Sequence, residues 1–486
     1  MNDISSQPID AEAIREHVRA SMPSGRRDHA KVLQDILDNL EEVDFRAIAE
    51  LNEDERITQK VQIVLTVQEV LKKARELNCG LCRNQDFVYA YNGEFWQVLD
   101  KSELENFLGE AAERIGVDAI TARYHKLKKE LQNQFLAEAY LPTPVNSTDK
   151  VLINLRDCTF EITAAGFQKL PFDRRHFLKY QLAFRYEEQA ECPRWQSFLD
   201  EVLVKKTEDG SIIPDESKQN ILAEFIGYVF SRHLKLEKTL ILFGHGANGK
   251  SVVFEVINAI FGKDNVSNVS LESISKDQYY RAMLANKLLN YSSEISNRLQ
   301  AEKFKQLTSG EPIEARLPYG QPMILTDYAR LAFNCNELPK DVEHSEAFFR
   351  RFLIIPFDVT IPEGKRNPKL AREIIESELS GVFNWILNGL RRLLLQNSFS
   401  KSEAVDQMIE AFKLESDSVA MFIEDEGYRR SPTNSIRLKD LYTQYREHCL
   451  DNGSRPVSSK NLIKRLETLG FETGKMTIGK VVYIEK

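Results

Sequence analysis

The residues best placed to do chemistry lie in one loop, Gly244-His-Gly-Ala-Asn-Gly-Lys-Ser251, followed by Val252. The loop fits G-x-x-x-x-G-K-[ST], a spacing in which the backbone wraps a phosphate chain with its N–H groups pointing inward. Gly244, Gly246 and Gly249 supply the conformational freedom, and His245, Ala247 and Asn248 complete the wrap. A lysine in the place of Lys250 reaches the β- and γ-phosphates, and a hydroxyl in the place of Ser251 ligates Mg2+. The expected ligands are therefore ATP and Mg2+. Three further positions suit the same chemistry. Glu294 closes the apolar run from Lys287 and puts an acid at a strand tip, where it polarises water and helps hold Mg2+. Asn336 ends a second apolar run from Arg330 and is suited to orienting that water or sensing the γ-phosphate. Arg350 and Arg351 precede a third run, and one of them suits an arginine finger reaching a neighbouring subunit's nucleotide.

These residues need elements to hold them. Leu240–Phe243 is apolar and reads as a buried parallel strand ahead of the loop. Val252, Val253, Val256, Ile257 and Ile260 keep helical spacing after it, so strand, loop and helix follow in the order the loop requires. Between the second and third strands, Ile313–Leu317 and Gln321–Leu325 flank Pro318-Tyr-Gly320 and predict a hairpin. Lys305, Arg316 and Tyr319 offer cations and an aromatic ring to a nucleic-acid strand, although spacing alone favours an ordinary hairpin. The tail predicts helix, turn, helix and a closing strand pair, the outline of a winged helix, with Lys460, Lys464 and Arg465 on the second helix.

The N-terminal part is different in kind. Ile14, Val18 and Met22 keep helical spacing, as do Val32 to Leu40 and Val61 to Leu71. The first sixty residues carry eight Lys/Arg against fourteen Asp/Glu, whereas residues 428–486 carry twelve against six. A net charge of −8 excludes a general polyanion binder and localises any nucleic-acid contact. The expected divisions are 1–80, an acidic helical region for oligomerisation or partner docking; 81–185, a small mixed α/β module; 186–238, a helical lead-in; 239–360, the P-loop core; 361–400, a helical segment; and 401–486, the winged helix. Hydrophobic residues are 42% and charged residues 28%, ordinary for a globular protein. No run approaches the roughly 20 apolar residues of a membrane span. With no signal pattern at the N-terminus, a cytoplasmic location and no membrane partner are expected. Of six cysteines only Cys79 and Cys82 form a C-x-x-C pair; structural thiols are the expectation, with a zinc site completed by Cys158 or a histidine as the alternative.

Five motifs occur in order: Gly244–Ser251, Leu288-Leu-Asn-Tyr-Ser-Ser-Glu294, Lys305–Arg316, Phe333-Asn-Cys-Asn-Glu-Leu-Pro339 and Phe348–Phe357. Together with Cys192-Pro-Arg-Trp-Gln-Ser-Phe-Leu-Asp200 they resemble superfamily 3 helicases, in particular the C-terminal part of the phage and plasmid primase–helicase family related to poxvirus primase-helicases. The resemblance implies an α/β protein with an AAA+-type core. It implies a ring, a hexamer, that tracks single-stranded and forked DNA 3′ to 5′ in the replication of a phage, plasmid or integrated mobile element. By motif position, Lys250 and Ser251 are the Walker A residues, Glu294 the Walker B acid, Asn336 the polar sensor and Arg351 the trans finger with Arg350 beside it. Lys305 and Arg316 belong to the family's channel hairpin. Ser293 stands where many relatives have a second acid. Residues 1–180 contain no Asp-x-Asp metal pair, so a primase is expected as a separate chain or initiator partner. The rival reading is an ATP-switched origin-binding or assembly protein with little unwinding activity.

Overall fold

A computed structural model describes residues 29–142, 150–293, 295, 299–318, 320–339, 342–453, 456–477 and 479–486. The helix expected around Ile14–Met22 lies outside them. The chain forms an α/β protein of two units: one runs to residue 146 and takes back Leu170–Gln181, and the other holds 147–169 and everything from Leu182 onward.

In the first unit, helices His29–Asp38, Gln59–Glu76, Lys101–Arg114 and His125–Glu138 share one apolar core with Phe45, Leu81 and Ala90. The sheet is antiparallel: Gly80–Asn84 pairs with Phe87–Tyr91, which pairs with Trp96–Val98. Asn92 makes the second turn by accepting from the backbone N–H groups of Glu94 and Phe95. The returning segment closes the sheet's other face, where Phe177 packs on Tyr89 and Trp96. The indole Nε1 donates to the Arg174 carbonyl at 3.0 Å. Cys82 is buried on that face, its thiol pushed up to about 12 by desolvation. Among the described residues no cluster of three or more His, Cys, Asp or Glu is placed to hold a metal.

The second unit is built on a five-stranded parallel sheet. We number its strands β1 (Thr239–Phe243), β2 (Val266–Ser267), β3 (Leu289–Ser292), β4 (Arg330–Cys335) and β5 (Phe352–Pro356). Their order across the sheet is β2-β3-β4-β1-β5, with every neighbour parallel. Burial on both faces explains the near-continuous apolar runs: all five residues of β5 are buried, as are the first four of β1. The chain leaves β1 for the far edge, returns through β3 and β4, and crosses β1 to reach β5. That reversal opens a crevice at the carboxyl ends of β4, β1 and β5.

Helices brace this sheet. Glu216–Phe230 lies along Leu379–Gln396, and the two backbones meet at glycines: a Cβ on Gly389 would sit 2.5 Å from the Ala223 carbonyl carbon, and one on Gly227 2.9 Å from the Leu390 Cα. Glu224, fully buried in this seam, is neutralised by Arg392 and takes a hydrogen bond from Ser400 Oγ. The predicted hairpin is present as Ile313–Arg316 against Pro322–Leu325. At the C-terminus, helices Ser418–Asp425, Leu438–Asp451 and Ser459–Thr468 pack on a three-stranded antiparallel sheet in which Gly479–Glu485 runs between Arg429–Arg437 and Thr473–Met476. Among the described residues no helix is long and apolar enough to cross a membrane.

Candidate active site

The loop from Gly244 to Gly249 rises from β1 into the crevice. Gly249 adopts φ +90, the left-handed region, and a Cβ there would come 2.8 Å from Phe198 Cε2. Only glycine lets the chain turn there into helix α1 (Lys250–Phe261), and no side chain caps that helix. Its positive end therefore faces the crevice with no side chain capping it, the arrangement that receives an anion. The loop is pinned from both sides. Gly244 N–H donates to the Cys335 carbonyl, Phe357 N–H to the Phe243 carbonyl, and Ile361 N–H to the Ala247 carbonyl at 2.8 Å. Asn248, buried inside the wrap, donates to the Phe357 carbonyl.

Lys250 is itself almost buried. Its ammonium donates to the Gly244 carbonyl, to Asn248 Oδ1 at 3.1 Å and to Asn336 Oδ1 at 3.2 Å. Desolvation lowers its pKa, and among the described residues no carboxylate offsets that loss. A bound phosphate chain would supply negative charge there. Cys335, below Asn336 in the strand, is pushed up to about 12 by burial and stays a neutral thiol.

The cleft measures about 860 Å3 and extends well past the phosphate loop. Gly246, Ala247, Asn248, Gly249, Lys250, Ser251 and Val252 line it, together with Ser293 after β3, Asn334 on β4 and Asn336 just past its end. Its outer part lies between helix Pro193–Val202 and the segment after β5: Pro193, Phe198, Ile361 and Leu370 give apolar walls, and Arg194, Lys365, Arg366 and Asn367 give polar ones. That volume and mix suit a nucleoside joined to the phosphates. The hydroxyls of Ser251 and Ser293 are hard oxygen donors of the kind Mg2+ accepts beside phosphate oxygens, so the residues present fit that ion. Sequence reasoning missed Asn334, Arg194, Lys365 and Arg366; the basic pair in the Gly364-Lys-Arg-Asn-Pro368 turn directly after β5 was the available signal.

The other expected residues fall elsewhere. His245 is exposed beside Phe243, their rings 5.6 Å apart. Glu294 and Tyr319 lie outside the described residues. Arg350 and Arg351 precede β5, at the amino edge of the sheet, opposite the loop. Five residues of strand separate the two edges, on the order of 15 Å. Arg351 is buried, bonded to the Ala347 carbonyl, Ser309 Oγ and Glu237, whereas Arg350 is 55% exposed and paired only at its tip with Glu237 at 2.7 Å. Lys305 is tied to the Glu343 carboxylate at 2.8 Å. Arg316 donates through Nε to the Gly320 carbonyl across the hairpin mouth. Lys460 and Lys464 are exposed on Ser459–Thr468, but Arg465 turns inward to Asp417 at 3.0 Å.

Comparison with known proteins gives partial matches. The profile of a family described as D5 N terminal like matches residues 74–204, and that of a family of unknown function, DUF5906, matches residues 242–351. Over 261 residues the chain is 23% identical to a protein of Acanthamoeba polyphaga mimivirus named "Putative helicase L207/L206"; the match takes in 49% of this chain and 27% of that relative's length. Among solved structures, two apo forms of the NrS-1 C-terminal region align over 85% and 86% of this chain and 97% and 98% of theirs, at 14% identity and TM-scores of 0.49 and 0.47.

Proposed function

We propose that the chain is an ATP-dependent DNA helicase or translocase of the superfamily 3 type, acting in the replication of a phage, plasmid or integrated mobile element. The observation that carries this reading is the cradle at the carboxyl end of β1: a helix start with no side-chain cap and a buried lysine that, among the described residues, has no carboxylate partner, beside an asparagine-tipped strand. The helicase name of the viral relative supports a nucleic acid as load, and the five motifs in order, by their resemblance, favour DNA.

On this reading the loop amides and Lys250 bind the triphosphate and draw charge off the transferring phosphoryl group. Lys250 gives up Asn336 Oδ1 for phosphate oxygens, which frees that amide to hold the attacking water. Glu294, next in sequence to the cleft-lining Ser293, takes the water's proton. Ser251, with Ser293 and Glu294, would hold Mg2+, which supplies Lewis-acid neutralisation of the phosphates when bound. The amino-edge arginines are too far from their own loop to serve it, so they act in trans on a neighbour's nucleotide. Arg350 is the exposed member and makes the contact; Arg351 holds the turn beneath it. This requires a ring, which we take to be a hexamer moving 3′ to 5′ with an AAA+-type core, the primase coming from another chain. On this reading the C-terminal helices and sheet act as a winged helix, and the exposed Lys460 and Lys464 there meet DNA phosphates. Arg316 leads the hairpin on the strand in the channel.

A second reading, an ATP-switched origin-binding or assembly protein, is favoured by one observation: Lys305 and Arg465 are already paired with Glu343 and Asp417. A fork-unwinding assay with the assembly's mass measured in parallel separates the two. Strand displacement by a hexamer supports the helicase; ATP-dependent assembly with no displacement supports the switch.

A further inference from the structure

Two asparagines reach the cleft at the carboxyl end of β4: Asn334 within the strand and Asn336 one residue past it. Their surroundings differ. The Asn336 amide oxygen already accepts from Lys250. The Asn334 amide oxygen instead lies 2.8 Å from the phenol oxygen of Tyr291, on the adjacent strand β3. Tyr291 is fully buried, with the Phe254 ring edge-on at 4.7 Å. A phenol has one O–H to donate, and in this buried position that proton needs an acceptor.

That proton fixes the amide. Among the described residues the Asn334 carboxamide is the phenol's hydrogen-bond partner. If the amide were turned over, its N–H would face the phenol oxygen and the buried O–H would be left without an acceptor, at a cost of about 1–3 kcal/mol. The oxygen therefore points inward to Tyr291, and the Nδ2 donor is turned toward the cleft. We propose that Asn334 presents a fixed N–H donor to the γ-phosphate or the attacking water, and that Tyr291 is the positioning residue that sets its orientation. This rests on the reading of the cleft as an ATP hydrolysis site, and it assigns that site a second amide beside Asn336. A donor aimed in advance at developing charge lowers the barrier without having to reorganise.

The test is a double-mutant cycle on full-length chain, read as steady-state ATP turnover and fluorescent-ADP affinity, with Lys250→Ala alongside. Asn334→Ala is expected to lower kcat about 100-fold. Tyr291→Phe, which deletes one oxygen and leaves the ring packed, is expected to lower kcat about 10-fold with KM and ADP affinity held within about twofold. The double variant should match Asn334→Ala alone within about twofold, because the phenol acts only through the amide. Multiplying losses in the double variant, or an unchanged kcat in Tyr291→Phe, overturns the proposal. If Asn334→Ala melts early, Asn334→Asp keeps the shape while replacing the donor with a second anionic oxygen, and the same kcat loss is expected; full activity there overturns the proposal as well. A wild-type chain with no turnover rejects the ATP reading and this inference with it. Turnover abolished by Lys250→Ala but untouched by Tyr291→Phe rejects the inference alone.

Discussion

Two adjacent arginines with opposite surroundings allow chemistry to be separated from structure. Arg351 is buried and holds Ser309, the Ala347 carbonyl and Glu237. Removing one partner of a buried pair costs about 3–5 kcal/mol, and the partial exposure of Glu237 brings the expectation for Arg351→Ala down to about 2–3 kcal/mol. At roughly 2 °C per kcal/mol for a unit of this size, its melting transition should fall by about 5 °C. Arg350→Ala breaks only an exposed pair, worth at most about 1 kcal/mol, so its melting point should stay within about 2 °C of wild type. Its ATP turnover should nevertheless fall about 1,000-fold, the scale of a missing arginine finger. The assay that decides is mixing. Subunits with Arg350→Ala and subunits with Lys250→Ala are each inactive alone. In a random one-to-one ring, about a quarter of the interfaces join an intact loop to an intact arginine, and activity should return in that proportion. Turnover by Arg350→Ala within about threefold of wild type, or a loss that mixing does not rescue, would refute the trans assignment.

Other expectations follow from single sites. Gly249→Ala forces a side chain into the left-handed region and against Phe198; strain and overpacking together should cost about 2–5 kcal/mol in urea melts and abolish ATP binding. The Lys250 ammonium is destabilised by burial, so it loses its proton below the ordinary 10.5, and ATP affinity should weaken with alkalinity starting below that pH; a fluorescence titration of wild type showing flat affinity up to pH 10.5 contradicts this. His344 has a lowered pKa because burial outweighs its neighbour Asp417. The unfolded chain then binds the extra proton first, so stability is lost as pH falls below 6.5, and His344→Gln should flatten that acid limb in thermal melts.

Much of the architecture was legible because parallel strands buried on both faces write themselves as apolar runs. The apolar runs Leu240–Phe243, from Lys287 and from Arg330 each fall on a strand of the central sheet, and the helical spacing of Val252 to Ile260 falls on helix α1. The paired helices of the tail and the 313–325 hairpin were equally clear from period and turn residues. Helices Glu403–Glu415 and Ser418–Asp425, ahead of the tail's helix pair, were harder to read: their apolar positions are sparse, only Val405 and Phe412 being buried in the first, and tertiary packing rather than periodicity makes them helical. Site chemistry was harder to read than site position. Nothing in Arg350-Arg351 says which guanidinium is buried, since that depends on Glu237 more than a hundred residues away. Asn334 was hidden for the same reason: its partner Tyr291 is local only across the sheet.

The central claim is that the Gly244–Ser251 cradle turns ATP hydrolysis into work on DNA. The most direct measurement is ATP turnover by purified chain with and without single-stranded DNA, for wild type and for Lys250→Ala. The account predicts turnover that DNA stimulates in wild type and none above background in Lys250→Ala. DNA-stimulated hydrolysis that survives Lys250→Ala would contradict it.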